Sequence, residues 1–184
     1  MTPLEVRYRE ACNTPSDINE HLPTFVDLCQ ELNAQNVVEL GTRGGVSTIG
    51  WLYGLKWTGG HCWSVDIDPA PDLEMKHWTF IQGDDLDPAV FQQLPTADIV
   101  FIDTTHAFED TLAELNVYRW KVRPGGKIVL HDTELERPFD FISRLPQPAF
   151  PVRCAVEEFC ADEDLEWTNY ANNNGLGVID IPEV

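Results

Sequence analysis

Residues 37–51 read VVELGTRGGVSTIGW: two valines, an acid, a glycine turn, then residues able to start a helix. The order is strand, tight loop, helix. Gly41, Gly44 and Gly45 accept positive φ and let the backbone approach a ligand closely. The free N–H groups of the loop and of the helix start favour an anionic group. Ser47 and Thr48 add hydroxyl donors in the first turn. A dinucleotide pyrophosphate would call for G-x-G-x-x-G at such a turn. The second glycine of that pattern is Arg43 here, and its side chain would crowd a pyrophosphate.

Upstream, residues 1–16 are mixed and polar, expected as a loose arm or a short helix. Ser16 and Asp17 are good caps. Leu22, Phe25, Cys29 and Leu32 recur at helical spacing, so residues 17–34 should form a leading amphipathic helix ending near Asn33. Downstream, a helix carrying Trp51, Leu52 and Leu55 should stop at Gly59-Gly60. His61–Asp66 reads as the second strand. Asp66 follows Gly41 by 25 residues (66 − 41). An acid at that strand end can accept from both hydroxyls of a ribose. Asp68 could instead cap a short helix opened by Pro69. Residues 78–81 (WTFI) are a third strand, closed by Gln82-Gly83-Asp84-Asp85. Asp85 can be a helix cap before Pro88, and Asp84 a turn residue.

Residues 98–103 (DIVFID) are what a parallel strand buried on both faces looks like. The next helix has Phe108, Leu112, Leu115, Tyr118 and Val122 on its inner face and should end at Pro124-Gly125-Gly126. Lys127–Leu130 is then strand five, delivering His131-Asp132-Thr133. Four prolines between 138 and 151 predict an irregular excursion, and Val152–Cys160 a helix. Leu165–Tyr170 and Leu176–Ile181 read as two strands joined by Asn172-Asn173-Asn174-Gly175, an antiparallel hairpin signal. Five βα units and a hairpin make an α/β, mostly parallel, doubly wound sheet within one domain, 1–184.

The 184 residues suffice for one domain with a full core, and 43% of them are hydrophobic. The net charge of −19 repels phosphate backbones, so no nucleic-acid partner is expected. The five cysteines form no C-x-x-C pair, which suggests reduced thiols in a cytoplasmic protein. No signal-peptide pattern and no stretch of transmembrane length is visible, so no membrane association is expected.

Asp103, His106, His131 and Asp132 fall just past the carboxyl ends of strands four and five, where doubly wound sheets bind ligands. Carboxylate oxygens with a nearby imidazole can hold Mg²⁺ or a similar divalent cation. A histidine there can also serve as a general base, or simply cap a helix.

The form E-x-G-x-x-x-G-x-S over Glu39–Ser47 resembles the first motif of the class I S-adenosylmethionine-dependent methyltransferases. The forms F-I-D-x-x-H at 101–106 and P-G-G-x-x-x-x-H-D at 124–132 resemble the subgroup of antibiotic-tailoring and sugar O-methyltransferases. Catechol- and caffeoyl-type O-methyltransferases are more distantly similar. The resemblance spans about Asp17 to Ile181. It implies a Rossmann-like, seven-stranded sheet and S-adenosylmethionine as cofactor. Its implied contacts are Glu39 at the amino end, Gly41, Thr42, Arg43, Gly45, Ser47, Asp66, Ile67, Asp84, Asp85 and Asp103. It further implies a divalent metal on Asp103, His131 and Asp132, with His106, His131 and Asp103 serving transfer to a small-molecule hydroxyl. Catechol-type enzymes carry Asp-Asn where this chain has Asp132-Thr133, so His131 would stand in as a ligand. Three alternatives remain open. They are a metal-independent methyltransferase with a histidine base, an NAD-dependent oxidoreductase, and a silent S-adenosylmethionine-binding or homo-oligomer-forming protein.

Overall fold

The computed structural model describes residues 1–136 and 146–183. Most of the proline-rich stretch expected to be irregular lies outside the described residues. The strands are β1 (Asn36–Leu40), β2 (His61–Asp66), β3 (Trp78–Gln82), β4 (Ala97–Ile102), β5 (Val122–His131), β6 (Trp167–Tyr170) and β7 (Leu176–Asp180). They form one sheet in the order β3-β2-β1-β4-β5-β7-β6. Pairs among β1 to β5 are parallel, and β7 runs antiparallel to both β5 and β6. The expected architecture, seven strands with a closing antiparallel hairpin, is the observed one.

Alternation along the central strands builds the two cores. Val37, Ile99 and Phe101 face one side with Phe25, Cys29, Trp51 and Leu55. These come from helices α1 (Pro3–Asn13), α2 (Leu22–Glu31) and α3 (Val46–Leu55), or pack against them. Val38, Val100, Ile102 and Ile128 face the other side with Val90, Leu115, Tyr118 and Val156. Those helices are α4 (Pro88–Phe91), α5 (Phe108–Tyr118) and α6 (Pro151–Glu163). Every residue of β4 is buried. Each such Val, Ile or Phe contributes roughly 1.5–3 kcal/mol on burial.

Of the two forms expected for residues 1–16, the helix is the one observed: α1 is capped by the Thr2 hydroxyl, and Tyr8 stacks on Tyr53 with ring centroids 3.9 Å apart. Two other expectations need correction. The leading helix does not run from residue 17. A 3-10 turn at Asn19–His21 precedes α2, and Asn33, already at φ 47°, lies beyond its end. The helix before β5 ends at Tyr118, and Pro124-Gly125-Gly126 do not terminate it. They bulge within β5, where pairing with β4 jumps from Ala97↔Val122 to Ile99↔Lys127. Gly125 sits at φ 71°, and a Cβ on Gly126 would come within 2.6 Å of the Asp98 carbonyl oxygen. The bulge thus needs both glycines, which the sequence pattern alone reads as a helix stop.

Candidate active site

Strand order reverses between β1 and β4, so their carboxyl ends diverge and leave a crevice. The two exits touch through backbone. The Asp103 N–H donates to the Leu40 carbonyl at 2.8 Å, and a Cβ on Gly41 would sit 2.0 Å from the Asp103 carbonyl oxygen. Gly41, at φ 84°, is therefore required for this close approach. The crevice has two lobes sharing Arg43 and Asp103. One, about 200 Å³, is lined by Asp66, Ile67, Gly83, Asp85 and Thr104. The other, about 240 Å³, is lined by Asp17, Thr42, Gly44 and Ser47. A larger cavity, about 410 Å³, lies at the opposite strand edge among Leu4, Leu52, Leu55 and Met75, away from every group described below.

On the glycine-loop side the acids are tied to the chain. Glu39 is fully buried. The Ser47 and Thr48 hydroxyls donate to it at 2.7 Å each, and the Ser64 hydroxyl also donates. Burial outweighs these donors and pushes its pKa up to about 7. Glu39, expected beside the amino end of a cofactor, lines neither lobe and anchors the start of α3 to β1 and β2. Asp66 holds the loop itself. Its Oδ2 accepts from the Thr42 and Arg43 N–H groups at 2.7 and 2.9 Å, and its Oδ1 from the Asp68 N–H at 2.9 Å. Burial alone would raise its pKa; these N–H donors reverse that and lower it. No helix opens at Pro69, where the chain runs on without one to β3, so Asp68 caps none. Asp87, not Asp85, caps α4, accepting from the Ala89 N–H at 2.8 Å. Asp84 closes its own turn on the Leu86 N–H, outside the residues lining the two lobes. Gly45 is the left-handed N-cap of α3, and Ile67 is 71% exposed beside the first lobe.

At the ends of β4 and β5 four titratable side chains converge. His106 Nε2 lies 2.9 Å from Asp103 Oδ1 and 3.0 Å from Asp132 Oδ2. His131 Nδ1 lies 3.5 Å from Asp103 Oδ1 and 3.4 Å from Asp132 Oδ1. Nε2 of His131 faces two carbonyl oxygens, Asp17 at 2.9 Å and Asn173 at 3.2 Å. A nitrogen between two carbonyls must carry a proton, which leaves Nδ1 directed at the carboxylates. His131 is buried, whereas the side chain of His106 retains 17% exposure at the mouth. Burial lowers both imidazoles, but the two carboxylates outweigh it and raise His106 to about 9 and His131 to about 10. Burial likewise works against ionised Asp103 and Asp132, and the imidazoles override it, holding both below the usual carboxylate range.

These residues fit a cation. One ligand atom each from Asp103, His131 and Asp132 lies within 4.8 Å of the others. Asp132 Oδ1 is buried with no hydrogen-bond partner among the described residues. His106 and Asp132 hold positive φ of 60° and 63°, a backbone cost of order 1–3 kcal/mol each that recurs at functional sites.

Two contributors were not legible beforehand. Asp17 supplies a carbonyl to His131 and its carboxylate to Arg43 at 3.3 Å. Asn173, read only as part of a turn, accepts from the Glu20 N–H, donates to the Ser16 carbonyl and offers its own carbonyl to His131. The N-N-N-G run signalled a turn, but nothing in it told which distant loop the turn would clasp.

Among curated proteins there is no sequence match. Solved structures share the fold at low identity. Cofactor-bound Rv0187 from MTB superposes with a TM-score of 0.73 at 18% identity, covering 100% of this chain and 92% of that one. The O-methyltransferase from Bacillus cereus in complex with S-adenosylhomocysteine gives 0.68 at 22%, covering 97% and 90%. MycE from the mycinamycin biosynthetic pathway, bound to Mg, S-adenosylhomocysteine and mycinamycin VI, gives 0.72 at 19%, covering 98% of this chain but 54% of that one. The family described as a methyltransferase domain matches residues 38–133, from β1 through the Asp132 corner. With the sheet order, the glycine turn and this match over more than half its length, the chain belongs to that methyltransferase family.

Proposed function

We propose that this protein transfers a methyl group from S-adenosylmethionine to a small-molecule hydroxyl, assisted by a divalent cation. The carrying observation is the meeting of His131 Nδ1 and Asp132 Oδ1, which accepts no hydrogen bond among the described residues, with Asp103, the residue of the three that lines the glycine-loop crevice. The sulfonium of S-adenosylmethionine supplies an already electrophilic methyl group, and a bound cation would stabilise the acceptor as its oxyanion. What remains for the chain is placement, worth several kcal/mol. The loop from Gly41 to Ser47 and the Asp66 corner hold one end of the cofactor. Ile67 and Asp85 border its base. Asp103, common to both lobes, stands beside the reacting centre. His131 is a ligand and not a base, because its Nε2 proton is committed to two carbonyls. His106, which Asp103 and Asp132 raise to about 9, would serve as the proton acceptor with those carboxylates engaged by the cation.

The solved folds bound to S-adenosylhomocysteine support the cofactor, and MycE, solved with Mg, supports the metal. No helix of the described residues is long and apolar enough to cross a membrane. Calorimetry with S-adenosylhomocysteine and with NAD separates the readings: the account expects micromolar binding of the first and none of the second. Heat from NAD alone would overturn it. Methyl transfer that survives a chelator would leave the cofactor reading standing and remove the metal.

A further inference from the structure

Two carboxyl groups, buried Glu114 and half-buried Asp85, lie at the first lobe, outside the metal-type cluster. Glu114, on α5, is 2% exposed, and its Oε1 accepts the Thr104 hydroxyl. Its Oε2 is buried and meets no N–H or O–H donor among the described residues; the same holds for Asp85 Oδ2. Each carboxyl group is the other's hydrogen-bonding neighbour. Asp85 lines the lobe beside Gly83 and Thr104, and its Oδ2 is buried.

Helix α5 organises this corner. Asp110, Glu114 and Tyr118 recur every four residues on one face. Asp110 accepts the Thr105 hydroxyl at 2.7 Å, Glu114 accepts from Thr104, and the Tyr118 hydroxyl donates to the Asp85 carbonyl at 2.8 Å. One helix face thus holds both loops that border the lobe. Two ionised carboxylates facing each other here, with no donor between them, would be strongly unfavourable. The other groups facing the pair make ionisation worse: Asp84 and Asp110 add negative charge, and Tyr118 is a neutral phenol. One proton between Oδ2 and Oε2 turns two orphaned acceptors into a donor and an acceptor.

We propose that Glu114 is a positioning residue for nucleoside recognition: it shares one proton with Asp85 and so fixes Asp85 Oδ1 as an acceptor for a base bearing an exocyclic amine. The proposal rests on the S-adenosylmethionine reading above. It makes the lobe selective for adenine over a 6-oxo purine, whose oxygen would oppose Asp85 Oδ1 as a second acceptor.

The test has two arms. Carbon-13 NMR of the ligand-free protein, with labelled Asp and Glu carboxyl carbons, should show the pair keeping one proton well above the ordinary carboxylate range of about 4. Calorimetry should then compare S-adenosylhomocysteine with its deaminated 6-oxo analogue. The wild type should prefer the adenine form by about tenfold or more. Glu114→Ala should lose about tenfold for S-adenosylhomocysteine and most of the preference. Glu114→Gln, whose amide N–H replaces the shared proton, should stay within about threefold of wild type. If the alanine variant fails to fold, the glutamine variant and the NMR arm still decide. Ordinary titration of both carboxyls would overturn the shared proton. Unchanged binding in Glu114→Ala would overturn the positioning role. A wild type that keeps the proton yet binds no S-adenosylhomocysteine would overturn the cofactor reading and the nucleoside role with it, while leaving the carboxyl pair as a structural device.

Discussion

The two halves of the strand edge use acids in opposite ways. At the end of β1 and β2, Glu39 and Asp66 are met by hydroxyls and backbone N–H groups of their own neighbourhood. At the end of β4 and β5, Asp103 and Asp132 are met by imidazoles, and among the described residues Asp132 Oδ1 accepts no hydrogen bond and has only the His131 ring, 3.4 Å away, beside it. The first half is complete without a ligand; its acids shape a loop. The second half holds charge together without neutral donors to satisfy it. The same residue type therefore signals scaffold or chemistry according to what its oxygens meet.

Breaking the second half should cost the most. Asp132→Asn, chosen because Asn tolerates the positive φ at this position, should lower methyl transfer by about 100-fold or more. Affinity for S-adenosylhomocysteine should stay within about threefold of wild type, since Asp132 borders neither lobe. Rate and affinity measured on one preparation check this; a parallel fall in both would merge the two halves.

Breaking the loop half should affect binding instead. Asp66→Ala frees the Thr42 and Arg43 N–H groups and should weaken S-adenosylhomocysteine by about 1.5–3 kcal/mol. Calorimetry reads it directly, and an unchanged affinity would show that the loop keeps its shape without Asp66.

A smaller, pH-dependent effect belongs to Glu39. Its folded pKa, about 7, stands above the ordinary 4.5. The native state therefore holds a proton that the unfolded chain has released between those values. Its stabilisation is full below about 4.5 and is lost as pH rises through about 7, with a slope of at most about 1.4 kcal/mol per pH unit. Glu39→Gln should flatten this part of the stability profile, as followed by denaturant midpoints across that range. A variant with the wild-type slope would place the titration elsewhere. The least effect is expected for Arg43→Ala. The Arg43–Asp17 pair is exposed, 73% and 45% by side chain, so stability should change by less than about 1 kcal/mol.

What could be read beforehand follows local spacing. The strand end at Asp66, the end of strand five to within one residue, the glycine turn and the hairpin were legible because a two-residue alternation and an Asn-Gly turn are properties of adjacent residues. The Pro124–Gly126 bulge was misread because a glycine pair looks alike whether it stops a helix or relieves crowding against Asp98. Within the site, Asp103, His106, His131 and Asp132 could be gathered by topology alone, since parallel strand ends share one edge. Which His131 nitrogen is committed could not be, because that depends on Asp17 and Asn173, 114 and 42 residues away in sequence. The surroundings of Glu39 were not legible either: three hydroxyls from α3 and β2 enclose it, and their convergence is a packing fact.

The most direct test of the division between loop and cluster is diffraction from crystals grown with S-adenosylhomocysteine and Mn²⁺, with data collected at the manganese edge. The account predicts an anomalous peak shared by Asp103, Asp132 Oδ1 and His131 Nδ1, with the base beside Ile67 and Asp85 and the sulfur facing the peak. A manganese peak elsewhere, or a nucleoside outside the Gly41–Asp66 crevice, would contradict it.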